Sequence, residues 1–486
     1  MTRAFPPTLG NRLTSLPDSL YREVWPDPLP TPRLLHWNRE AAALAGISAS
    51  NTPLADLAAW LAGNRPWPGS RPLASVYAGH QFGYFVPQLG DGRAILLGET
   101  SHRGQTWELQ FKGSGRTPWS RAGDGRAVLR SSLREYLCSE AMHGLGVPTT
   151  RALSLVDSPL PVWRETEETA AVIVRMSPSF IRFGHFEWFY HRNETAHLAT
   201  LADFVIRHHF SDWKDRADRH LLLFAEITRL TARLMAHWQA AGFTHGVMNT
   251  DNMSILGLTL DYGPFGFMDT YQPGFVCNHT DSQGRYAFDQ QPDVGLWNLT
   301  RLAHAMSPLL ATEEMKSVLD TYPAQFASHY IDLMNARLAL PPGRNHVGVI
   351  LGLLELMQAN QLDYHGFLRD LCRFDSTENA TNNGLRDQCM DREAFDRWAT
   401  AWREALAEQA LPAAERQRRM LANNPKYILR NHLAEEIITA VRDHGDTSVI
   451  DDIIRVLHHP FDEHPDLDRW AEPPPKGTHI ELSCSS

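Results

Sequence analysis

The spacing of apolar residues changes once along this chain, near Pro178, and that change limits the possible folds more than any other feature. Before it, Ala94-Ile95-Leu96-Leu97 is a short apolar run, and Trp107, Leu109 and Phe111 alternate with Glu108, Gln110 and Lys112. A period of two marks strands. Ser101 to Gly104 between the runs predicts a hairpin, and alternation puts Lys112 on the polar face with Glu108 and Gln110. That is the face a sheet can turn toward a ligand cleft. Strands resume at Ala152 to Val156 and at Ala171 to Met176. Between them, Leu129, Leu133, Tyr136 and Leu137 recur at helical spacing, so a helix runs through Glu135 until Gly144 and Gly146 stop it. After Pro178 the pattern is mostly helical. Leu223, Ile227, Leu230 and Leu234 form one apolar stripe ended by Gly242, and Ile437 to Val441 and Val449 to Leu457 are later helices. The polar loop His245 to Gly263 is interrupted by two short predicted strands, Ile255-Leu256 and Leu258-Thr259-Leu260. The expected class is α+β, with strands first and helices after.

A length of 486 residues allows two or three domains or one large two-lobed body at roughly 150 residues per domain. The divisions expected are a Pro-punctuated N-terminal extension over 1–75, with a short helix at Leu54 to Gly63, a β-rich part over 76–178, and a helical part with insertions over 179–440. A C-terminal helix and a mobile Pro-rich tail complete the chain over 441–486. The formal charge of -10 gives no incentive for wholesale binding to nucleic acid or an anionic membrane. Phosphate chemistry must then use a local basic pocket. The run Val347 to Met357 is too short to span a bilayer and contains Glu355, and Met1 to Leu20 carries polar residues and prolines where a signal peptide needs an apolar stretch. The five cysteines are scattered without a CxxC pair, so the expected compartment is a reducing cytoplasm. HExxH, GxSxG and GxxxxGK[ST] are all absent.

The tetrapeptide Gly-Asp-Gly-Arg occurs twice, at Gly90 to Arg93 before a strand and at Gly123 to Arg126 before a helix. Glycines let successive amides face one anion, and arginine adds charge. Lys112 ends a strand and Glu135 follows on the next helix, the arrangement by which protein kinases orient a lysine toward nucleotide phosphates. The segment His245-Gly246-Val247-Met248-Asn249-Thr250-Asp251-Asn252, followed by Asp261-Tyr262-Gly263, compares with the kinase pair HRDxxxxN and DFG. Asn252 and Asp261 offer neutral and anionic oxygens suited to a magnesium ion bridging phosphates. Val247 stands where the kinase aspartate would be, and valine cannot accept a proton. Asp251 is the nearest carboxylate that can. Arg175 and Arg182 bracket the passage from strands to helices, where guanidinium groups can reach phosphate oxygens, and Asp293 to Leu299 matches the kinase central helix in the correct order.

Together with Leu109 to Gly115 and the ending Ser483-Cys484-Ser485-Ser486, these motifs resemble the selenoprotein O family of pseudokinase-fold protein adenylyltransferases over nearly the whole chain. The resemblance implies a two-lobed protein-kinase-like fold that binds ATP inverted and transfers AMP to protein Ser, Thr or Tyr hydroxyls, its own included, with release of pyrophosphate. It implies that Lys112, Arg175 and Arg182 hold phosphates, that Glu135 positions Lys112, and that Gly90, Gly92, Arg93, Asp124 and Gly125 line the nucleotide site. It also implies that Asn252 and Asp261 hold Mg2+ or Mn2+ and that Asp251 is the proton acceptor. The competing readings are a genuine kinase transferring the γ-phosphoryl group and a noncatalytic ATP-binding scaffold. Cys277, in a polar run after Asp261-Tyr262-Gly263, and Cys484, on the tail, are expected to be accessible thiols. The family's redox-active residue at the place of Cys484 implies that the two form a reversible disulfide.

Overall fold

The period-two stretches form one nine-stranded antiparallel sheet in the computed structural model, which describes residues 3–409, 411–475, 477, 480 and 482. Its strands are β1 (Tyr21–Glu23), β2 (Arg33–Trp37), β3 (Leu73–Gln81), β4 (Tyr84–Gly90), β5 (Ala94–His102), β6 (Gln105–Lys112), β7 (Arg151–Trp163) and β8 (Glu167–Ser177), joined by the short Ala127–Val128. They lie in the order β1-β3-β5-β6-β8-β7-β2, with β4 folded back on β3. The predicted β5–β6 hairpin is present, and its register sets Lys112 opposite Ala94 on one side and Ile173 on the other.

Alternation explains the two faces. Leu109, Phe111, Val172 and Val174 pack against Phe5, Leu57, Leu61 and Trp67, so the first seventy residues seal one face and supply the outermost strands β1 and β2. On the other face Glu108, Gln110 and Lys112 are buried. A polar row buried in this way must be matched by polar partners, and those partners build the cleft described below.

The helices that position the cleft are α1 (Leu54–Leu61), α2 (Leu129–Gly144), α3 (Phe183–His191), α4 (Arg219–Ala240), α5 (Gln291–Met306), α6 (Asn431–His444) and α7 (Ser448–His458). One apolar core runs through α2 to α7, joining Leu133, Tyr136 and Leu137 of α2 to Phe186, Ile227, Leu302 and Ile450. A further core, around Leu353, Phe367 and Trp402, holds together the helices between α5 and α6. Among the described residues no helix is long and apolar enough to cross a membrane.

One expectation is corrected. Ile255-Leu256 and Leu258-Thr259-Leu260 form no strands, because a turn from Ser254 to Gly257 leaves only single bridges such as Met253 to Thr259. Near the C-terminus, Leu482 is buried and its carbonyl accepts a hydrogen bond from the His279 N–H at 2.8 Å.

The joint between sheet and C-terminal helices is polar. Glu140 of α2 is fully buried and accepts from Arg151 at 2.9 and 2.6 Å, from the Ala152 N–H at 2.9 Å, and from His458 at 2.7 Å. Here α2 and α7 touch so closely that a Cβ on Gly144 would lie 1.8 Å from the Leu457 carbonyl oxygen. Burial alone would raise the Glu140 carboxyl, but His458 and Arg151 outweigh it and hold it at about 2. The resulting stability is present above about 4.5, the carboxyl's ordinary value, and is lost as pH falls toward 2. The shift corresponds to about 3 kcal/mol. We predict that Glu140→Gln, which strands the Arg151 charge, lowers stability by about 3–5 kcal/mol at pH 7. Urea unfolding at pH 7 and at pH 3 checks this, since the wild type should lose part of its advantage over the variant in acid.

Candidate active site

A cleft of about 700 Å³ opens between the turn joining β4 to β5, the end of β6, and the loop that follows α4. The loop is fixed from beneath. His245 is buried, stacks on Trp238 with ring centres 5.2 Å apart, donates from Nε2 to the Leu260 carbonyl at 2.8 Å, and accepts at Nδ1 from the Val247 N–H at 3.3 Å. Burial lowers its pKa, consistent with a neutral ring that joins the two halves of the loop. From α5, Asn298 donates to the Met248 carbonyl at 2.9 Å, which is how the Asp293 to Leu299 run supports the site.

Asp261 lies at the centre of the cleft, in the left-handed backbone region at φ 54°. Its carboxylate accepts from Lys112 Nζ at 3.0 Å and also from Arg175 and Arg182. Glu135 of α2 accepts from Lys112 at 2.5 Å and from Arg175 at 2.9 Å. Gln110, next to Lys112 on the same face of β6, accepts from Arg175. Lys112, Arg175 and Arg182 are all buried. Burial works against the Asp261 anion, but Arg182, Lys112 and Arg175 outweigh it and hold the carboxyl well below its ordinary range. The three cations outnumber the two carboxylates they touch, so this cluster is suited to an anionic ligand.

Asn252 donates from Nδ2 to the Val247 carbonyl at 3.0 Å, which leaves its Oδ1 facing Arg182 Nη1 at 3.5 Å. The same nitrogen also touches Asp261, so a cation of the protein itself lies between the two oxygens. These are hard donors of the type Mg2+ or Mn2+ takes. Among the described residues no cluster of three His, Cys, Asp or Glu side chains could enclose an ion, so the remaining ligands of a bound metal would have to be phosphate and water oxygens.

Asp251 is 7% exposed. Its Oδ2 accepts from Gln81 Nε2 at 3.1 Å, and Oδ1 has no hydrogen-bond partner among the described residues. Burial pushes its carboxyl up to about 7, against the opposing effects of Gln81 and Arg182. A carboxylate so placed is suited to proton transfer near neutrality.

Both Gly-Asp-Gly-Arg turns line the cleft, where Gly90, Gly92, Arg93, Asp124 and Gly125 meet. Each aspartate fastens its own turn. Asp91 accepts from the Ser75 N–H at 2.9 Å and hydroxyl at 2.6 Å, while Asp124 accepts from the Arg126 N–H at 2.9 Å and from Arg164 at 2.9 and 3.0 Å. The Arg126 guanidinium donates to the Asp27 and Pro28 carbonyls, so its charge anchors the N-terminal segment. Sequence reasoning missed Arg164, Gln81 and Tyr77, whose ring lies 5.2 Å from the Arg182 guanidinium. These three reach the site through tertiary packing and belong to no motif.

Cys277 departs from expectation. It is buried, with Sγ 3.5 Å from the Thr244 carbonyl, because it packs against the loop at Gly246. Cys484 lies outside the described residues.

A family model described as Protein adenylyltransferase SelO matches residues 7–458. Protein nucleotidyltransferase YdiU of Thiobacillus denitrificans is 53% identical over 481 residues, covering 99% of this chain and 99% of the relative. The proteins of that name from Myxococcus xanthus and Pectobacterium carotovorum subsp. carotovorum are 48% and 50% identical, covering 98% and 96% of both chains. On a match of this extent, the chain belongs to the Protein adenylyltransferase SelO family.

Proposed function

We propose that this cleft transfers AMP from ATP to Ser, Thr or Tyr hydroxyls of proteins, this one included, within a protein-kinase-like arrangement that holds ATP inverted. The observation that carries the reading is the pair Val247 and Asp251: the kinase base position is apolar, while a buried carboxylate four residues later lines the same cleft. Lys112, Arg175 and Arg182 bind the phosphates, with Glu135 holding Lys112 and Arg175 in place. The turns at Gly90 to Arg93 and at Asp124-Gly125 line the rest of the nucleotide site. The acceptor oxygen attacks the α-phosphorus, its proton passes to Asp251, and the bond to the β-phosphate oxygen breaks to release pyrophosphate. Asn252 and Asp261 would hold Mg2+ or Mn2+, which when bound neutralises charge on the phosphates.

Label from α-labelled ATP should reach protein, and label from γ-labelled ATP should not; comparable transfer from both would favour γ-phosphoryl transfer. Asp251→Ala should lower transfer by roughly 10²- to 10⁴-fold while sparing ATP binding, and Asp261→Ala should weaken metal-dependent nucleotide binding as well. Wild-type turnover by Asp251→Ala would remove that residue from the mechanism.

The reading extends to redox control through a Cys277–Cys484 disulfide. Its support is the tail contact from Leu482 to His279, which brings the chain within two residues of each cysteine. Peptide mapping of oxidised, nonreduced protein should find the Cys277–Cys484 crosslink, and thiol reductant should raise transfer activity. Absence of both would eliminate this control.

A further inference from the structure

The tip of the β3–β4 hairpin rests on the loop that carries Asp251. Its two-residue turn, Phe82-Gly83, has φ values of 50° and 87°, as in a tight hairpin with both turn residues left-handed. Phe82 is not glycine, so contacts must offset the strain. Its N–H donates to the Tyr286 hydroxyl at 2.9 Å and to Asn249 Oδ1 at 3.2 Å, and its ring lies 5.0 Å from that of Tyr286. Two residues earlier, the His80 N–H donates to Thr250 Oγ1 at 2.7 Å, and that hydroxyl donates to Glu187 Oε2 at 3.0 Å. The hairpin is therefore fastened to both residues that precede Asp251.

These contacts confine the carboxylate itself. A Cβ on Gly79 would lie 2.7 Å from Asp251 Oδ1, so the bare backbone of β3 closes over that oxygen. Oδ1 is shut from solvent, which leaves proton uptake to Oδ2, the oxygen that Gln81 Nε2 contacts at 3.1 Å. A carboxylate oxygen accepts more than one hydrogen bond, so the Gln81 amide occupies one lone-pair site and leaves another for an acceptor hydroxyl.

We propose that Gln81 is a positioning residue for adenylyl transfer: its amide fixes the rotation of the Asp251 carboxylate so that Oδ2 presents a free lone pair to the acceptor hydroxyl. This rests on the reading of Asp251 as proton acceptor. The far end of the same hairpin runs into the Gly90 to Arg93 turn at the nucleotide site. One element thus spans from the nucleotide to the base, and the base is aligned only while the hairpin is seated.

The test compares Gln81→Met, which keeps the length but removes the donor, with Gln81→Glu, which keeps the shape but sets a second carboxylate against Asp251. Steady-state transfer to a protein acceptor, ATP binding and thermal midpoint are measured for each, alongside Asp251→Ala. Losing a hydrogen bond to a charged group predicts a kcat roughly ten- to hundredfold lower for Gln81→Met, with KM for ATP and thermal midpoint unchanged. Gln81→Glu should be slower still. A purely structural role predicts the reverse order, because glutamate is the closer mimic of glutamine. Wild-type kcat in Gln81→Met, a milder effect in Gln81→Glu, or a change confined to KM for ATP would overturn the proposal. If Asp251→Ala kept wild-type turnover, the base assignment would fall, whereas inactive Asp251→Ala with fully active Gln81→Met would sink only the role of Gln81.

Discussion

The carboxylate of Asp261 is the charge on which the rest of this molecule is arranged. Lys112 reaches it from the end of β6, Arg175 from β8, and Arg182 from the residue before α3. Burying these cations in an apolar interior would be prohibitive without an anion among them. Asp261 and Glu135 fill that need, and in doing so they tie the sheet, α2 and the loop after α4 to a single point. The cluster's excess positive charge suits it to a triphosphate in a chain whose overall charge is -10. Binding would exchange one set of partners for another, with phosphate oxygens taking the cations and a metal ion taking the freed carboxylate.

The sequence made much of this cluster legible, because its members lie in local patterns. Period-two alternation placed Lys112 at a strand end with Glu108 and Gln110 on its face, and helical spacing placed Glu135 on α2. Asn252 and Asp261 came from motif spacing alone. What stayed hidden depends on contacts distant in sequence. Gln81 meets Asp251 across 170 positions, and Arg164 fastens Asp124 from a strand end that carries no motif. The N-terminal segment looked like an appendage because its prolines break any long periodicity, yet β1 and β2 form the outer strands of the sheet. Cys277 looked accessible because its neighbours are polar, yet Asn278 and Asp281 are buried with it, the Asn278 amide donating to the Gly246 carbonyl at 3.0 Å.

Around this charged centre the rigidity is uneven and follows from chemistry. The loop carrying Asn252 is pinned by His245, Asn298 and Arg182, the last donating to the Asp251 carbonyl at 2.8 Å. The hairpin over Asp251 is held at its tip by hydrogen bonds that offset the strain of its turn. A few such bonds can open locally without unfolding the sheet, which has its own core on the opposite face. Asp251 thus lies beneath the tip of a hairpin, while Lys112 and Arg175 stand on central strands of the sheet.

The most direct measurement is the affinity for ATP, with and without Mg2+, of the wild type and of Asp261→Asn. If Asp261 neutralises the cations until a metal replaces their charge, the wild type should bind ATP weakly without Mg2+ and far more tightly with it. Asp261→Asn should bind metal-free ATP more tightly than the wild type does and gain little from Mg2+. Weaker metal-free binding by Asp261→Asn, or an undiminished gain from Mg2+, would contradict the account.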